Sequence, residues 1–147
     1  MPFPTLPEPG AGFIVSGTVV HGEKRGRALG FPTANIALAR GNLFPPEGVY
    51  SSIVRFPHRD TFYGATVSVG TNPTFPDIAS IRIEAHIHDL DELLYGLTAE
   101  LRLLHRLRDM RRFSSVEELI AQMESDVRQS RRLLADLGCL TPTRNAG

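Results

Sequence analysis

The sequence predicts a mainly β protein, a closed or nearly closed antiparallel barrel with one C-terminal helix. Two observations support this. Short β-like segments, separated by glycine- and proline-rich turns, recur over most of the chain, which is typical of all-β barrels. Near the end, the spacing of apolar residues changes to that of an amphipathic helix. A chain of 147 residues suits one domain with one core.

The strand predictions rest on alternation between apolar and polar residues. It is cleanest in IRIEAHIH, residues 81–88, where Ile and Ala share one face while Arg82, Glu84, His86 and His88 share the other. YGATVSVG, residues 63–70, alternates in the same way. The further strand candidates are FIVSGTVVHG, GVYSSIVRF and TAELRLLHRL.

The helix prediction covers SSVEELIAQMESDVRQSRRLLADLG, residues 114–138. Ser114 and Glu117 form a capping box at its start, and Gly138 is a favourable stop. Its apolar stripe consists of Val116, Ile120, Met123, Val127, Leu134 and Leu137. We expect this helix to cover one flank or end of the barrel.

Composition limits the function classes. Acidic and basic residues balance at 16 each, so the protein lacks the broad basic field of a nucleic-acid binder. The single cysteine, Cys139, cannot form an internal disulfide, and neither a signal peptide nor a transmembrane-length apolar run is evident. We therefore expect a soluble, cytoplasmic protein with a leader or linker remnant over 1–11, a domain over 12–138 and a flexible tail over 139–147.

A glycine-rich basic segment, HGEKRGRALG at residues 21–30, has two interpretations. Successive backbone N–H groups of a tight loop can bind phosphates, but such a segment can also be a mobile surface connection. It is neither a Walker A loop nor a dinucleotide-binding fingerprint, because Lys-Ser/Thr and a following helix are both missing from the pattern.

The next stretch, Pro32-Thr33-Ala34-Asn35, places a hydroxyl and an amide carbonyl on one side of an extended segment. Such hard oxygen donors suit Mg²⁺, which completes its coordination with water and phosphate oxygens. The alternative is a turn in which Thr33 and Asn35 bond locally to the backbone.

Glu84 lies on the polar face of the best-alternating strand. It is a candidate general base, or else a solvated carboxylate paired across strands. His86 and His88 have the spacing of a two-histidine metal clamp, but no third ligand is evident in the sequence, so we interpret them as solvated or hydrogen-bonding side chains. Before the helix, Arg108, Arg111 and Arg112, followed by Phe113, predict either a loop that binds an anionic planar ligand or a solubilising loop.

Taken in order, these segments resemble the riboflavin kinase (flavokinase) family. The blocks that match are GTVVHGEKRGRALGFPTANI, PPEGVY, YGATVSVGTNPTF, IEAHIHDLDELLYG and LRDMRRFSSVEELIAQMESD. The PTAN element is highly specific for that family. The resemblance implies a six-stranded antiparallel Greek-key barrel with a C-terminal helix. It also implies transfer of the γ-phosphoryl group of ATP to the 5′-hydroxyl of riboflavin, which gives FMN and ADP.

The resemblance also implies roles for individual residues. Glu84 would be the catalytic base, and Thr33 and Asn35 would hold Mg²⁺, with Mn²⁺ or Zn²⁺ as alternatives. The implied ATP ligands are Gly22, Lys24, Gly26, Arg27, Thr33, Asn35, Ile87, Asp89 and Tyr95. The implied flavin ligands are Arg108, Met110, Arg111 and Phe113.

Two positions depart from the family pattern: Met110 and Leu93 stand where acidic residues are usual. They motivate an alternative function, a non-catalytic module that binds flavin or nucleotide. Another alternative keeps the reaction but uses CTP as the donor, as archaeal relatives do. We expect riboflavin and ATP as partners, a monomer without nucleic-acid or membrane partners, and either a stand-alone kinase or one fused to or excised from an FMN adenylyltransferase domain.

Overall fold

The structure, a computed structural model, describes residues 13–20, 33–38, 45–59, 61–71, 81–90 and 94–136. The predicted leader and tail lie outside these ranges. Within them, no helix combines the length and the apolar character needed to cross a bilayer. The elements are β1 Phe13–Val20, β2 Ala34–Leu38, β3 Gly48–Phe56, β4 Thr61–Thr71, β5 Ile81–Ile87, β6 Thr98–Arg108 and the helix α1 Val116–Asp136.

These strands form a closed antiparallel barrel in the order β1-β2-β5-β4-β3-β6. Closure is made by β1 and β6, which pair from Phe13 opposite Leu103 to Thr18 opposite Thr98. The order is that of a Greek key: β3, β4 and β5 are consecutive neighbours, whereas β6 returns to pair with β3, and β5 pairs with β2. The fold predicted from the sequence is confirmed.

The core of the barrel is built by the alternation that the sequence showed. On β5, Ile83, Ala85 and Ile87 point inward and are at most 7% exposed, while on β4 Ala65, Val67 and Val69 do the same. The intervening residues therefore face outward. Gly17 of β1 is required by close packing, because a Cβ there would overlap the backbone carbonyl of Ala37 on β2.

The helix α1 begins one residue later than the predicted capping box requires. The Glu118 amide donates to Ser115 Oγ at 3.1 Å, and the Glu118 carboxylate accepts from the amide and hydroxyl of Ser114. The predicted capping pair of Ser114 with Glu117 is wrong, because the pair that caps the helix is Ser115 with Glu118. The predicted stop at Gly138 and the stripe residue Leu137 lie outside the described residues.

The buried face of α1 is more polar than the predicted apolar stripe. Val116, a member of that stripe, is 42% exposed, whereas Asp126 and Ser130 are buried beside Leu134. The reason lies in the surface beneath: the helix covers the outer side of β3 and β4, where Ser51 presents a hydroxyl. Ser51 Oγ donates to the Ser130 carbonyl at 3.1 Å, and the single proton of the Ser130 hydroxyl faces two acceptors, Ser51 Oγ and the Ala65 carbonyl, each 3.1 Å away. These contacts seat the helix on the barrel.

Candidate active site

A single row of outward-facing positions crosses the barrel. Strand register places Asn35 of β2 opposite Glu84 of β5, and Glu84 opposite Ser68 of β4. Ser68 in turn lies opposite Val49 of β3, and Val49 opposite Arg108 of β6. Directly opposed side chains have Cβ atoms about 4.5–5.5 Å apart. The row therefore joins the metal-ligand, base and flavin-loop candidates on one face.

The oxygen-bearing end of this row is partly shielded from water. Asn35, Glu84 and Ser68 are each half-buried, and so is Thr33, which lies directly before β2. Asn35 faces outward because its neighbours Ala34 and Ile36 pack into the core. Asn35 and Glu84 thus form a cross-strand pair, with Thr33 two residues from Asn35 along the chain.

Ser68 is a site position that sequence reasoning missed. The alternation of β4 already placed it on the polar face, but nothing in a single sequence shows which strand lies beside β5. The register supplies that information. Ser68 of β4 pairs with Glu84 on the side opposite Asn35.

The predicted nucleotide positions at the end of β5 have different surroundings. The Ile87 side chain is 7% exposed and lies in the core, so any ligand contact there would be made by its backbone. Asp89 adopts a left-handed backbone, with φ of 62°, and its carboxylate forms a two-bond ion pair with Arg131 of α1 at 3.0 and 3.1 Å. Tyr95 is 37% exposed. The predicted phosphate-loop residues Gly22, Lys24, Gly26 and Arg27 lie outside the described residues.

His86 and His88 do not share one environment. Their rings meet edge to face, with centroids 5.9 Å apart, but His88 is buried and its Nε2 lies 2.8 Å from Thr66 Oγ1. Burial, assisted by the charges of Arg131 and His86, lowers the pKa of His88 from 6.5 to about 3, so its ring is neutral. No group of three His, Cys, Asp or Glu side chains suited to a metal occurs in the described part of the chain.

At the far end of the row, Arg108 forms an ion pair with Asp126 of α1. Its Nε and Nη2 lie 2.8–3.1 Å from the two carboxylate oxygens. The side chains are 20% and 5% exposed, respectively. The guanidinium predicted to bind flavin is thereby also the counter-charge of a buried carboxylate.

The loop from 109 to 115, which joins β6 to α1, places Met110 next to β4. A Cβ on Gly70 would lie 3.4 Å from Met110 Cε, and Gly70 follows Ser68 on the same face of the strand, about 7 Å further along. The Arg111 guanidinium lies 4.7 Å from the centroid of the Phe113 ring. Met110 and Arg111 are exposed and Phe113 is half-buried, so these three side chains offer an accessible platform beside the row of oxygen donors.

Comparison with known proteins defines the class. The chain is 40% identical over 125 residues to a bifunctional riboflavin kinase/FMN adenylyltransferase from Listeria monocytogenes, and this match covers 85% of the chain but 39% of the relative. It also matches a crystal structure described as a macrolide-efflux protein from Streptococcus pneumoniae, at 37% identity and a TM-score of 0.74, covering 83% of this chain and 39% of that one. A riboflavin kinase from Trypanosoma brucei matches at 26% identity and a TM-score of 0.65, over 90% of this chain and 85% of that one.

These likenesses indicate a kinase-type transferase domain. The family model described as flavokinase, riboflavin kinase, matches residues 9–134. The chain belongs to the riboflavin kinase family, as its motifs predicted. It spans about two fifths of the length of the first curated relatives that it matches.

Replacement of Arg108 by Met is expected to lower the free energy of unfolding by about 3–5 kcal/mol, because the buried Asp126 carboxylate would lose its counter-charge. Chemical denaturation measures the change. Arg112→Met, the same replacement at an exposed position of the loop, is the control and should change stability by less than about 0.5 kcal/mol. Equal stability of the two variants would contradict a structural role for Arg108.

The depressed pKa of His88 predicts a loss of stability in acid. The unfolded chain takes up a proton near pH 6.5, whereas the folded state does so only near pH 3. The contribution of His88 to the free energy of unfolding is therefore fully present above pH 6.5. It is lost as the pH decreases towards 3, by up to about 1.4 kcal/mol per pH unit. NMR titration of the His88 ring is the direct measurement. A midpoint near 6.5 in the folded protein would refute the prediction, and His88→Gln should flatten the dependence.

Proposed function

We propose that this domain transfers the γ-phosphoryl group of ATP to the 5′-hydroxyl of riboflavin, giving FMN and ADP. One observation carries the proposal: the row that pairs Asn35 with Glu84 runs beside the platform of Met110, Arg111 and Phe113. Phosphoryl transfer requires alignment and charge stabilisation rather than a covalent protein intermediate. A site with phosphate-side oxygen donors at one end and an aromatic and cationic platform at the other suits these two substrates.

In this mechanism Glu84 is the general base. Its carboxylate accepts the proton of the 5′-hydroxyl while the hydroxyl oxygen attacks the γ-phosphorus. The bond between that phosphorus and the β–γ bridging oxygen breaks, and ADP leaves. The half-buried position of Glu84 limits competing water, and Ser68 beside it offers a hydroxyl that can orient the carboxylate.

The donor set at Thr33 and Asn35 fits a divalent metal ion. A hydroxyl and an amide carbonyl are hard oxygen ligands, which favour Mg²⁺ over Zn²⁺, and Asn35 lies opposite Glu84. When bound, such an ion supplies positive charge that neutralises phosphate oxygens. Thr33 and Asn35 would therefore serve the nucleotide rather than the flavin.

The proposal is tested by incubating the chain with riboflavin, Mg²⁺ and either ATP, CTP or GTP, and separating the flavins by chromatography. We expect FMN with ATP. FMN formed only with CTP would change the donor and keep the reaction. Riboflavin binding without FMN from any nucleotide would instead favour a non-catalytic flavin-binding module. Repeating the assay with Mn²⁺ and Zn²⁺ identifies the ion that supports turnover.

Glu84→Gln is expected to lower kcat by about 10²–10⁴-fold, the usual contribution of a general base, while leaving substrate binding largely intact. Steady-state kinetics and riboflavin fluorescence titration separate the two effects. Glu124→Gln, the same change on the exposed side of α1, is the control. A near-wild-type rate for Glu84→Gln would remove this residue from the mechanism.

Asn35→Ala and Thr33→Ala should weaken the binding of Mg·ADP by about tenfold or more, since each removes an oxygen donor to a charged ligand. Binding of riboflavin alone should change by less than about twofold. Titration calorimetry measures both. Thr18→Ala, at an exposed position of the adjacent strand β1, is the control. Equal losses for nucleotide and flavin would count against the metal assignment.

A further inference from the structure

The side chain of Gln122 on α1 connects Arg111 of the β6–α1 loop, through Asp126, to Arg108 at the end of β6. Its Nε2 donates to Asp126 Oδ1 at 2.9 Å, and its Oε1 accepts from Arg111 Nη1 at 2.9 Å. Asp126 is at the same time the ion-pair partner of Arg108. A continuous chain of hydrogen bonds therefore runs from the end of β6, through the helix, to the middle of the loop.

This chain of bonds determines where the Arg111 guanidinium lies. Arg111 is exposed, and an arginine in water samples many rotamers, which binding would have to immobilise. The bond to Gln122 keeps its guanidinium near the Phe113 ring, with 4.7 Å between Cζ and the ring centroid. The platform for a planar ring is thus arranged before a ligand arrives.

The residues beneath Gln122 are buried and hydrogen-bonded. Asp126 is 5% exposed on its side chain and is bonded to Arg108 through two nitrogens. One turn further along the helix, Ser130 is fully buried and bonded to β3 and β4. Gln122 is thus bonded to Asp126, and the same helix is held against the barrel at Ser130.

We propose that Gln122, through its bond to Arg111, is a positioning residue that orients Arg111 and Phe113 for binding of the flavin ring. The inference rests on the proposed function, because it takes riboflavin as the ligand of this loop. It assigns Gln122 no contact with substrate. Gln122 would reduce the conformational entropy that the loop loses when riboflavin binds. Its replacement should therefore alter riboflavin affinity and leave nucleotide binding unchanged.

The test compares Gln122→Met, Gln122→Glu and the control Gln129→Met. Methionine keeps the length of the side chain and removes both hydrogen bonds. Glutamate still accepts from Arg111 but replaces the donor to Asp126 by a second carboxylate. Gln129→Met makes the same change at an exposed position of α1. Riboflavin Kd is measured by flavin fluorescence, KM for both substrates by steady-state kinetics, and stability by denaturation.

For Gln122→Met we expect riboflavin Kd and KM to rise about five- to tenfold, which is the contribution of one ordinary hydrogen bond at an exposed position. KM for ATP should not change. Gln122→Glu should restore riboflavin affinity to within about twofold of wild type while lowering stability, because two carboxylates then lie close together. Gln129→Met should match the wild type in every measurement.

Different failures have different meanings. If wild type forms FMN and Gln122→Met retains wild-type riboflavin affinity, the positioning role is refuted and the proposed function stands. Flavin affinity that falls in parallel with stability, lower in Gln122→Glu than in Gln122→Met, would also refute it, because the residue would then act only on the fold. If wild type binds no riboflavin, the proposed function fails, and the positioning role fails with it.

Discussion

The barrel register is the constraint on which the candidate site depends. A shift of one residue between β2 and β5 would turn Asn35 or Glu84 into the core and bring apolar side chains to the surface. The inward set of Ile36, Ile83 and Val69 opposes such a shift, because each lies buried in the same layer. Burial of these apolar residues fixes the register, and the register in turn fixes the outward positions of Asn35 and Glu84.

The helix α1 positions the part of the site that lies outside the barrel, the loop between β6 and α1. Its buried polar groups, Asp126 and Ser130, contact the strands and the end of β6 rather than solvent. A buried ion pair contributes little net stability but is sensitive to the loss of either partner. The position of the β6–α1 loop therefore depends on the ion pair of Arg108 with Asp126, which forms when the helix is docked on the barrel.

Much of this could be predicted from the sequence. Alternation predicted the inward faces of β4 and β5, and the order of the motif blocks identified the family. Register could not be predicted, because the partner of a strand depends on contacts far away in sequence, so Ser68 was missed. The ion pair of Arg108 with Asp126 was missed for the same reason. The capping box was displaced by one residue because Ser114 and Ser115, and likewise Glu117 and Glu118, are adjacent and chemically equivalent.

The closing pair of the barrel joins β1 near the start of the chain to β6 near its end. Pairings between such distant segments form slowly, since chain entropy must be lost before their contacts contribute. The pairing of Asn35 with Glu84 also spans a long separation, and the helix can dock only on strands already formed. We therefore expect the site to form late in folding, and a ligand that needs all of its residues to bind the completed barrel in preference to every partly folded form.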